Sequence, residues 1–216
     1  MTATLHYIFD PLCGWCYAAS PLLRRVADEL QENVALQLHP GLLFETPMSL
    51  KADWRRHILQ ADQQIHALSG VRFGDAYIAR IRNAESVILA SSLPAASVLA
   101  AEQLQPGAGI DMLEAIQAAH YVAGQDVCEA PRLHALAAAL DLPGEDFDAA
   151  LDHELAQQPA VTRHARNLMQ ASGGQGYPTF VLQIGERQIR LPHAKAYGQP
   201  QAFIDQINQS ITREHP

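Results

Sequence analysis

The sequence predicts an α/β protein in which a long helical segment interrupts a sheet. A strand–helix–strand pattern opens the chain, and a helix, two short strands and a last helix close it. Between these parts, nearly every apolar stretch has helical spacing. We therefore expect an α/β core built from residues 1–46 and 158–216, with an all-helical domain at 47–157 inserted after the second strand.

The opening pattern has clear boundaries. Residues 5–9 are mostly apolar, with β-branched and aromatic side chains typical of a buried strand, and Asp10 and Pro11 end that run. Apolar residues then recur three and four apart over 18–30, which predicts a helix. A second strand is predicted over 34–39. Strands joined by a crossover helix are parallel.

The middle of the chain is predicted to be an irregular helical bundle. Glycine and proline residues separate its helices, and no fixed repeat period is present. The predicted helices are 52–68, 75–82, 94–104, 111–123, 131–140 and 145–155. After them the sequence predicts a helix over 160–171, strands over 179–184 and 188–191 that form an antiparallel hairpin, and a closing helix over 199–211.

The composition excludes several classes of function. A net charge of −8 among 216 residues, with no basic cluster, argues against a nucleic-acid partner. The first four residues carry no basic segment, and no apolar run is long enough to cross a bilayer, so we expect neither a signal peptide nor a membrane partner. We expect a cytoplasmic protein, and in that compartment a close cysteine pair is more often catalytic or metal-binding than a structural disulfide.

Two cysteines three residues apart, Cys13 and Cys16, are the main chemical signal. They lie where the first strand gives way to the first helix, so Cys13 is placed at a helix N-terminus. Free N–H groups and the helix dipole favour an anion at that position, and a thiolate is the form that attacks disulfides.

The same spacing also occurs in half of a structural zinc site. Such a site needs about four nitrogen or sulfur ligands. The only other cysteine is Cys128, and His57, His66 and His164 are scattered along the chain. The sequence therefore predicts no metal, and it leaves the role of Cys128 open.

These motifs, taken with the order of the elements, resemble the DsbA-like branch of the thioredoxin superfamily. The resemblance rests on Cys13-Gly14-Trp15-Cys16 at the first helix, on Gly176-Tyr177-Pro178-Thr179 before the third main strand, and on the helical segment between them. The subgroup it resembles most comprises FrnE-like proteins, often described as predicted protein-disulfide isomerases. The resemblance covers nearly the whole chain and implies a thioredoxin-like core with an inserted helical domain.

The resemblance also implies roles for individual residues. Cys13 would be the exposed attacking thiol and Cys16 the buried resolving thiol. Pro178 would follow a cis peptide bond, and Tyr177 would present its N–H and C=O to an extended substrate. Trp15 would contact substrate from the active-site surface, or else pack against the inserted helices.

Two further polar residues near the cysteines have alternative interpretations. Asp10, three residues before Cys13, is either a proton relay for the thiols or the start of a turn. His39 ends the second strand and is expected to be solvent-exposed, with orientation toward the thiols as the alternative.

The predicted function is thiol–disulfide oxidoreductase or isomerase activity on protein or peptide disulfides through Cys13 and Cys16. No bound cofactor is expected, and glutathione is the candidate reductant. Two alternatives stay open. One is a glutathione-dependent transferase or isomerase of the kappa-class type, which retention of both cysteines disfavours. The other is a non-enzymatic protein that binds a partner and senses oxidation. The direction of redox catalysis, the physiological substrate and the oligomeric state are not predicted.

Overall fold

The computed structural model describes residues 3–30 and 32–214 of the chain. Its elements are, in order, β1 (Ala3–Phe9), α1 (Gly14–Leu30), β2 (Val34–Pro40), β3 (Met48–Ser49), α2 (Ala52–Ser69), α3 (Asp75–Asn83), β4 (Ile88–Leu89), α4 (Ser92–Leu104), α5 (Ala108–Gln117), a π-helical turn (Ala118–Val122), α6 (Ala130–Ala139), α7 (Gly144–Ala171), β5 (Thr179–Ile184), β6 (Arg187–Leu191), a 3₁₀ turn (Ala194–Ala196) and α8 (Pro200–Glu214).

A four-stranded sheet in the order β2-β1-β5-β6 forms the centre of the α/β core. Strands β1 and β2 are parallel, with Leu5 opposite Leu36, as the strand–helix–strand pattern predicts. Strand β5 runs antiparallel to β1, and β5 and β6 form the predicted antiparallel hairpin. The carboxyl ends of β1 and β2 and the amino end of β5 therefore meet at one edge of the sheet.

The alternation of β1 assigns its side chains to two faces of the sheet. Leu5, Tyr7 and Phe9 are buried in the larger core with apolar residues of α1. Ile8 points the other way and packs in a small cluster with Ala165 and Leu168 of α7. Helices thus cover both faces of the sheet, and α8 packs beside α1.

The predicted helices of the middle segment are present, but one prediction about them is wrong. The helices expected at 145–155 and 160–171 are a single 28-residue helix, α7, which contains Pro159. A proline usually ends or kinks a helix because it removes a backbone donor and crowds the preceding turn. Here the adjacent Gln158 is buried, and its Nε2 donates to the carbonyl oxygen of Ser92 at 2.7 Å. This contact with α4 holds the helix at its weakest point.

The continuous α7 also passes through the boundary expected between residues 157 and 158, so the helical segment joins the core without a linker there. The short strands β3 and β4 pair with each other in a separate two-stranded sheet, which the sequence does not predict. Within the described residues, no helix combines the length and apolar character needed to cross a membrane.

Candidate active site

Cys13 lies at the amino end of α1, as predicted. Its carbonyl oxygen accepts the first helical hydrogen bond, from Tyr17 N at 3.0 Å, while its own N–H donates to Asp10 O at 3.2 Å. Cys13 is thus the cap residue of the helix, next to its unpaired N–H groups. Both Cys13 and Cys16 are free thiols.

The two thiols differ in burial, although less than expected. Cys16 is fully buried, as predicted, but Cys13 is also only 6% exposed, so the expectation of an exposed attacking thiol is wrong. The backbone of Tyr177 lies against the Cys13 sulfur, and the inserted helix α2 packs on the cysteine motif at Gly14. A Cβ on Gly14 would lie 2.8 Å from Ile65 Cδ1 and 3.2 Å from Asp62 Oδ1. A larger residue at this position would have to displace the end of the Ile65 side chain.

Cys16 is in an environment that opposes its ionisation. Burial, together with the neighbouring Cys13 thiol, raises the pKa of Cys16 well above its usual value. The backbone N–H of Asp10 contacts Cys16 Sγ at 3.5 Å and partly offsets that effect. Cys16 therefore remains a thiol until a nearby proton acceptor or a mixed disulfide on Cys13 changes its surroundings.

Tyr177 and Pro178 lie directly opposite the cysteine pair. The Tyr177–Pro178 peptide bond is cis, and Cys13 Sγ donates to the carbonyl oxygen of Tyr177 at 3.6 Å. This meeting follows from the sheet, because Pro178 precedes the amino end of β5 and the cysteines follow the carboxyl end of β1.

The backbone of Gly41 binds the Tyr177 side chain. The Tyr177 hydroxyl donates to Gly41 O at 2.6 Å, and Arg166 Nε donates to the same oxygen at 2.9 Å. A Cβ on Gly41 would overlap the Tyr177 ring. The backbone after β2 thus fixes the residue that faces Cys13.

Asp10 stabilises the turn that its sequence position predicts, and its role as a proton relay stays a prediction. It is fully buried, and its carboxylate accepts hydrogen bonds from the N–H groups of Leu12 at 2.7 Å and Leu43 at 2.5 Å, which is turn stabilisation. It also lies beside Cys16 through its backbone N–H. Burial raises its pKa despite these hydrogen bonds.

We expect Asp10→Ala to lower the free energy of unfolding by about 1–3 kcal/mol, because the buried N–H of Leu12 and the partly buried N–H of Leu43 lose their acceptor. Urea denaturation followed by circular dichroism measures the change. Asp28→Ala, at an exposed position of α1, is the control and should stay within about 0.5 kcal/mol of wild type. Equal stabilities for the Asp10 and Asp28 variants would contradict the structural role.

Trp15, the predicted substrate contact, is partly exposed. Its ring stacks on Tyr197 with a centroid separation of 5.7 Å, and the Tyr197 hydroxyl donates to Trp15 O at 3.3 Å. Tyr197 follows the last strand, so the stacking partner comes from the core. Tyr197 is only 7% exposed, so Trp15 is the accessible member of this aromatic pair.

Sequence reasoning missed a buried polar group on the other side of the cysteines. Asp62 of α2 is 6% exposed and accepts a hydrogen bond from the Tyr77 hydroxyl at 2.9 Å. Burial raises the pKa of Asp62 to about 7, and the Tyr77 hydrogen bond opposes the rise. Tyr121 packs against Tyr77 with ring centroids 5.3 Å apart. The signal that could have found this group is Gly14, since a glycine between two cysteines permits another chain segment to approach.

His39 is neither solvent-exposed nor directed at the thiols. Its Nε2 lies 3.0 Å from Nδ1 of His6, whose Nε2 contacts Gln183 Oε1 at 3.0 Å, and its ring is 5.5 Å from that of His164. The expectation fails because α7, which carries His164, covers this face of the sheet. Burial and the charges of His6 and His164 lower the pKa of His39 to about 4.

This histidine cluster predicts a pH-dependent contribution to stability. The pKa of His39 in the folded protein lies below the ordinary value of 6.5, so the unfolded chain binds the proton more readily. Its contribution is complete above pH 6.5 and is lost as the pH falls toward 4. Between pH 7 and 5, we expect wild type to lose about 1–2 kcal/mol more unfolding free energy than His39→Gln. Denaturant titrations at both pH values measure this, and the exposed control His57→Gln should follow wild type. Parallel losses in wild type and His39→Gln would refute it.

Over residues 3–30 and 32–214, no group of three or more His, Cys, Asp or Glu side chains is arranged to hold a metal ion. Of the scattered histidines considered above, His164 joins the cluster with His39, and His66 Nδ1 contacts the carbonyl oxygen of Val71 at 2.8 Å. Cys128 lies apart from the thiol pair, and its sulfur accepts from Ala90 N at 3.4 Å.

The family model of the DsbA-like thioredoxin domain matches residues 4–199. The chain belongs to the DsbA-like thioredoxin family. Solved structures agree with this assignment. The cytosolic disulfide reductase DsbM from Pseudomonas aeruginosa is 38% identical, with a TM-score of 0.86 over 97% of this chain and 98% of that one.

Two further structures place this DsbA-like chain among its relatives. A structure of DsbM from Pseudomonas aeruginosa with GSH is 38% identical with a TM-score of 0.85, covering 97% and 99% of the two chains. A protein from Nitrosomonas europaea is 22% identical, with a TM-score of 0.82 over all of both chains. Its assignment as a protein disulfide isomerase is itself an inference. The latter likeness shows the fold alone. A search of curated protein sequences gives no match.

Proposed function

We propose that this protein is a thiol–disulfide oxidoreductase that reduces disulfide bonds with Cys13 and Cys16 and is itself reduced by glutathione. The observation that carries the proposal is the dithiol at the amino end of α1, with Cys13 Sγ held against the Tyr177 carbonyl. A helix terminus stabilises the attacking thiolate, and the neighbouring backbone carbonyl is a docking point for a peptide.

The reaction follows from the order of the two sulfurs. The Cys13 thiolate attacks a substrate disulfide, a mixed disulfide forms, and the first substrate thiolate leaves and takes up a proton. Cys16 then loses its proton and attacks Cys13, which expels the second substrate thiol and leaves a Cys13–Cys16 disulfide. Two glutathione molecules return the pair to the dithiol state and become glutathione disulfide. The carboxylate of Asp10, whose charge acts on the Cys16 thiol, is the proposed acceptor of the Cys16 proton.

The burial of Cys13 restricts the substrate. A thiol that is 6% exposed is reached by a small disulfide or by an extended peptide more easily than by a disulfide inside a folded protein. Such a peptide would pair with the backbone of Tyr177 and contact the partly exposed ring of Trp15. Substrate selection would then depend on the inserted segment, proposed to span residues 47–157, because α2 covers Gly14.

A reducing role requires a compartment with a pool of reduced thiols, so a cytoplasmic location is part of the proposal. DsbM, with which this chain shares 38% identity, is described as cytosolic, and one of its structures contains GSH. Isomerase activity needs the same thiols, since Cys13 can release a rearranged substrate before Cys16 acts. The reduction potential of the pair decides between these directions.

The test is a turnover assay. Glutathione, glutathione reductase and NADPH are supplied together with hydroxyethyl disulfide or an extended disulfide-bridged peptide. We expect many turnovers per protein molecule, with faster reduction of the peptide than of the same disulfide in a folded protein. A single turnover that then stops would overturn the proposal and favour the redox-sensing alternative. Scrambled ribonuclease in the same buffer reports isomerisation.

A further inference from the structure

We propose that Asp62, supplied by the inserted helix α2, is the proton-exchange residue for Cys13. In this role the carboxylate takes the proton from the Cys13 thiol before attack and returns it to the departing substrate thiolate. The inference rests on the proposed function, and it adds a proton partner for Cys13 to the one that Asp10 provides for Cys16.

The position of Asp62 is the first support. Its Oδ1 lies 3.2 Å from the place where a Gly14 Cβ would be, and Gly14 directly follows Cys13. Its Oδ2 is occupied by the Tyr77 hydroxyl at 2.9 Å. Among the described residues, none donates a hydrogen bond to Oδ1. The free oxygen of a carboxyl that is 6% exposed is thus the one against the cysteine motif.

The second support is a buried hydroxyl beside this carboxyl. Tyr121 OH is buried and, in the described part of the chain, has no hydrogen-bond partner. It lies in the π-helical turn Ala118–Val122, and such turns are frequent at functional sites. Burial, followed by the charges of Tyr77, Cys13 and Asp62, raises the pKa of Tyr121. An unpaired buried hydroxyl is costly, and the charges of both the Cys13 thiol and the Asp62 carboxyl act on this one.

The third support is a route for protons to solvent. Asp62 forms part of the wall of a pocket of about 190 Å³ between α2 and α3. Three other titratable side chains line that pocket, His66, Arg72 and Arg82. Burial favours the neutral form of Asp62, so this carboxyl can hold a proton at neutral pH. A carboxyl that changes protonation near neutral pH is suited to acid–base exchange.

Protons balance in the first step, the attack of Cys13 on a substrate disulfide. The Cys13 thiol and the Asp62 carboxylate become a thiolate and a carboxylic acid. The thiolate forms a bond to one sulfur of the substrate, and the substrate disulfide bond breaks. The second sulfur leaves as a thiolate and takes the proton from Asp62, which restores the carboxylate. No external oxidant or reductant enters this step, because the electrons come from the Cys13 sulfur.

The test uses a background in which Cys13 is the sole cysteine, made with Cys16→Ser and Cys128→Ser. The alkylation rate of Cys13 by iodoacetamide is measured from pH 4 to 9. We expect two inflections, of which the one near pH 7 is lost in Asp62→Asn. In the intact dithiol protein, Asp62→Asn should reduce turnover at pH 7 by about tenfold, while alkylation of Cys13 does not slow. This split distinguishes proton exchange from a packing defect.

Two further variants make the test decisive. Tyr77→Phe removes the hydrogen bond to Oδ2 but keeps the carboxyl, so it should move the inflection to higher pH, and it decides the question if Asp62→Asn does not fold. Asp53→Asn, on an exposed part of the same helix, is the matched control and should behave as wild type. Identical pH profiles with and without the carboxyl, or equal losses of alkylation and turnover, would overturn the inference. Alkylation requires no turnover, so failure of the proposed function would be recognised separately.

Discussion

Cys16→Ser is expected to convert the protein from a catalyst into a trap for its substrates. Without a resolving thiol, the mixed disulfide on Cys13 can be released only by an outside thiol. We expect turnover to fall at least about a hundredfold at limiting glutathione, and a covalent substrate adduct to accumulate. Intact-protein mass spectrometry after reaction with a disulfide peptide measures the adduct, and reduction by dithiothreitol confirms its bond.

Cys13→Ser should remove both turnover and adduct, with a loss of about a thousandfold or more, because no attacking thiolate remains. Cys128→Ser is the matched control, since its sulfur contacts the backbone of Ala90 away from the site, and it should keep the wild-type rate. Adducts on Cys16 in the Cys13 variant would reverse the assignment of the two roles. Wild-type turnover by Cys16→Ser would show that glutathione alone resolves the intermediate.

Gly41→Ala is expected to lower both stability and turnover, although Gly41 takes no part in the chemistry. A Cβ at this position would overlap the Tyr177 ring, so either the ring or the backbone after β2 must move. Overpacking of this kind costs about 1–3 kcal/mol of unfolding free energy. We also expect more than tenfold lower turnover, because Tyr177 carries the carbonyl that faces Cys13.

A double-mutant cycle identifies the cause. If the ring is the obstacle, adding Tyr177→Ala to Gly41→Ala should restore part of the lost stability, although not the activity. Gly144→Ala is the control, because a Cβ there would meet nothing within 4 Å. Additive losses in the double variant would show that the backbone after β2, rather than contact with Tyr177, requires glycine.

Much of the fold was predictable because its elements have local boundaries. Strand β5 matches its predicted limits of 179–184, since Pro178 and Gly185 enclose an apolar run. The failure at Pro159 has a non-local cause. The contact between Gln158 and Ser92, which keeps α7 continuous, joins residues 66 positions apart and leaves no pattern in either segment.

The candidate site likewise combines residues that local sequence motifs reveal with residues whose role depends on non-local packing. Cys13, Cys16, Tyr177 and Pro178 belong to short motifs, and the antiparallel pairing of β1 with β5 brings these motifs together. Asp62 has no such motif, since in the sequence it is one of many polar residues on an amphipathic helix. Its burial arises only when α2 packs on Gly14. Likewise, the burial of Cys13 depends on segments far from it in sequence, so its accessibility could not be predicted.

The unbroken helix α7 connects the helical bundle directly to the sheet of the α/β core. Its 28 residues span about 42 Å, from the bundle to the back of the sheet. Each residue of an α-helix advances the rotation about the helix axis by about 100°. Insertion or deletion of a single residue near Pro159 would therefore rotate one end of α7 relative to the other. Chimaeras that exchange the inserted segment between relatives should therefore retain function only when the length of this helix is conserved. In this architecture, the helical phase of one element sets how the half of α7 that packs on α4 is oriented relative to the half that packs on the sheet.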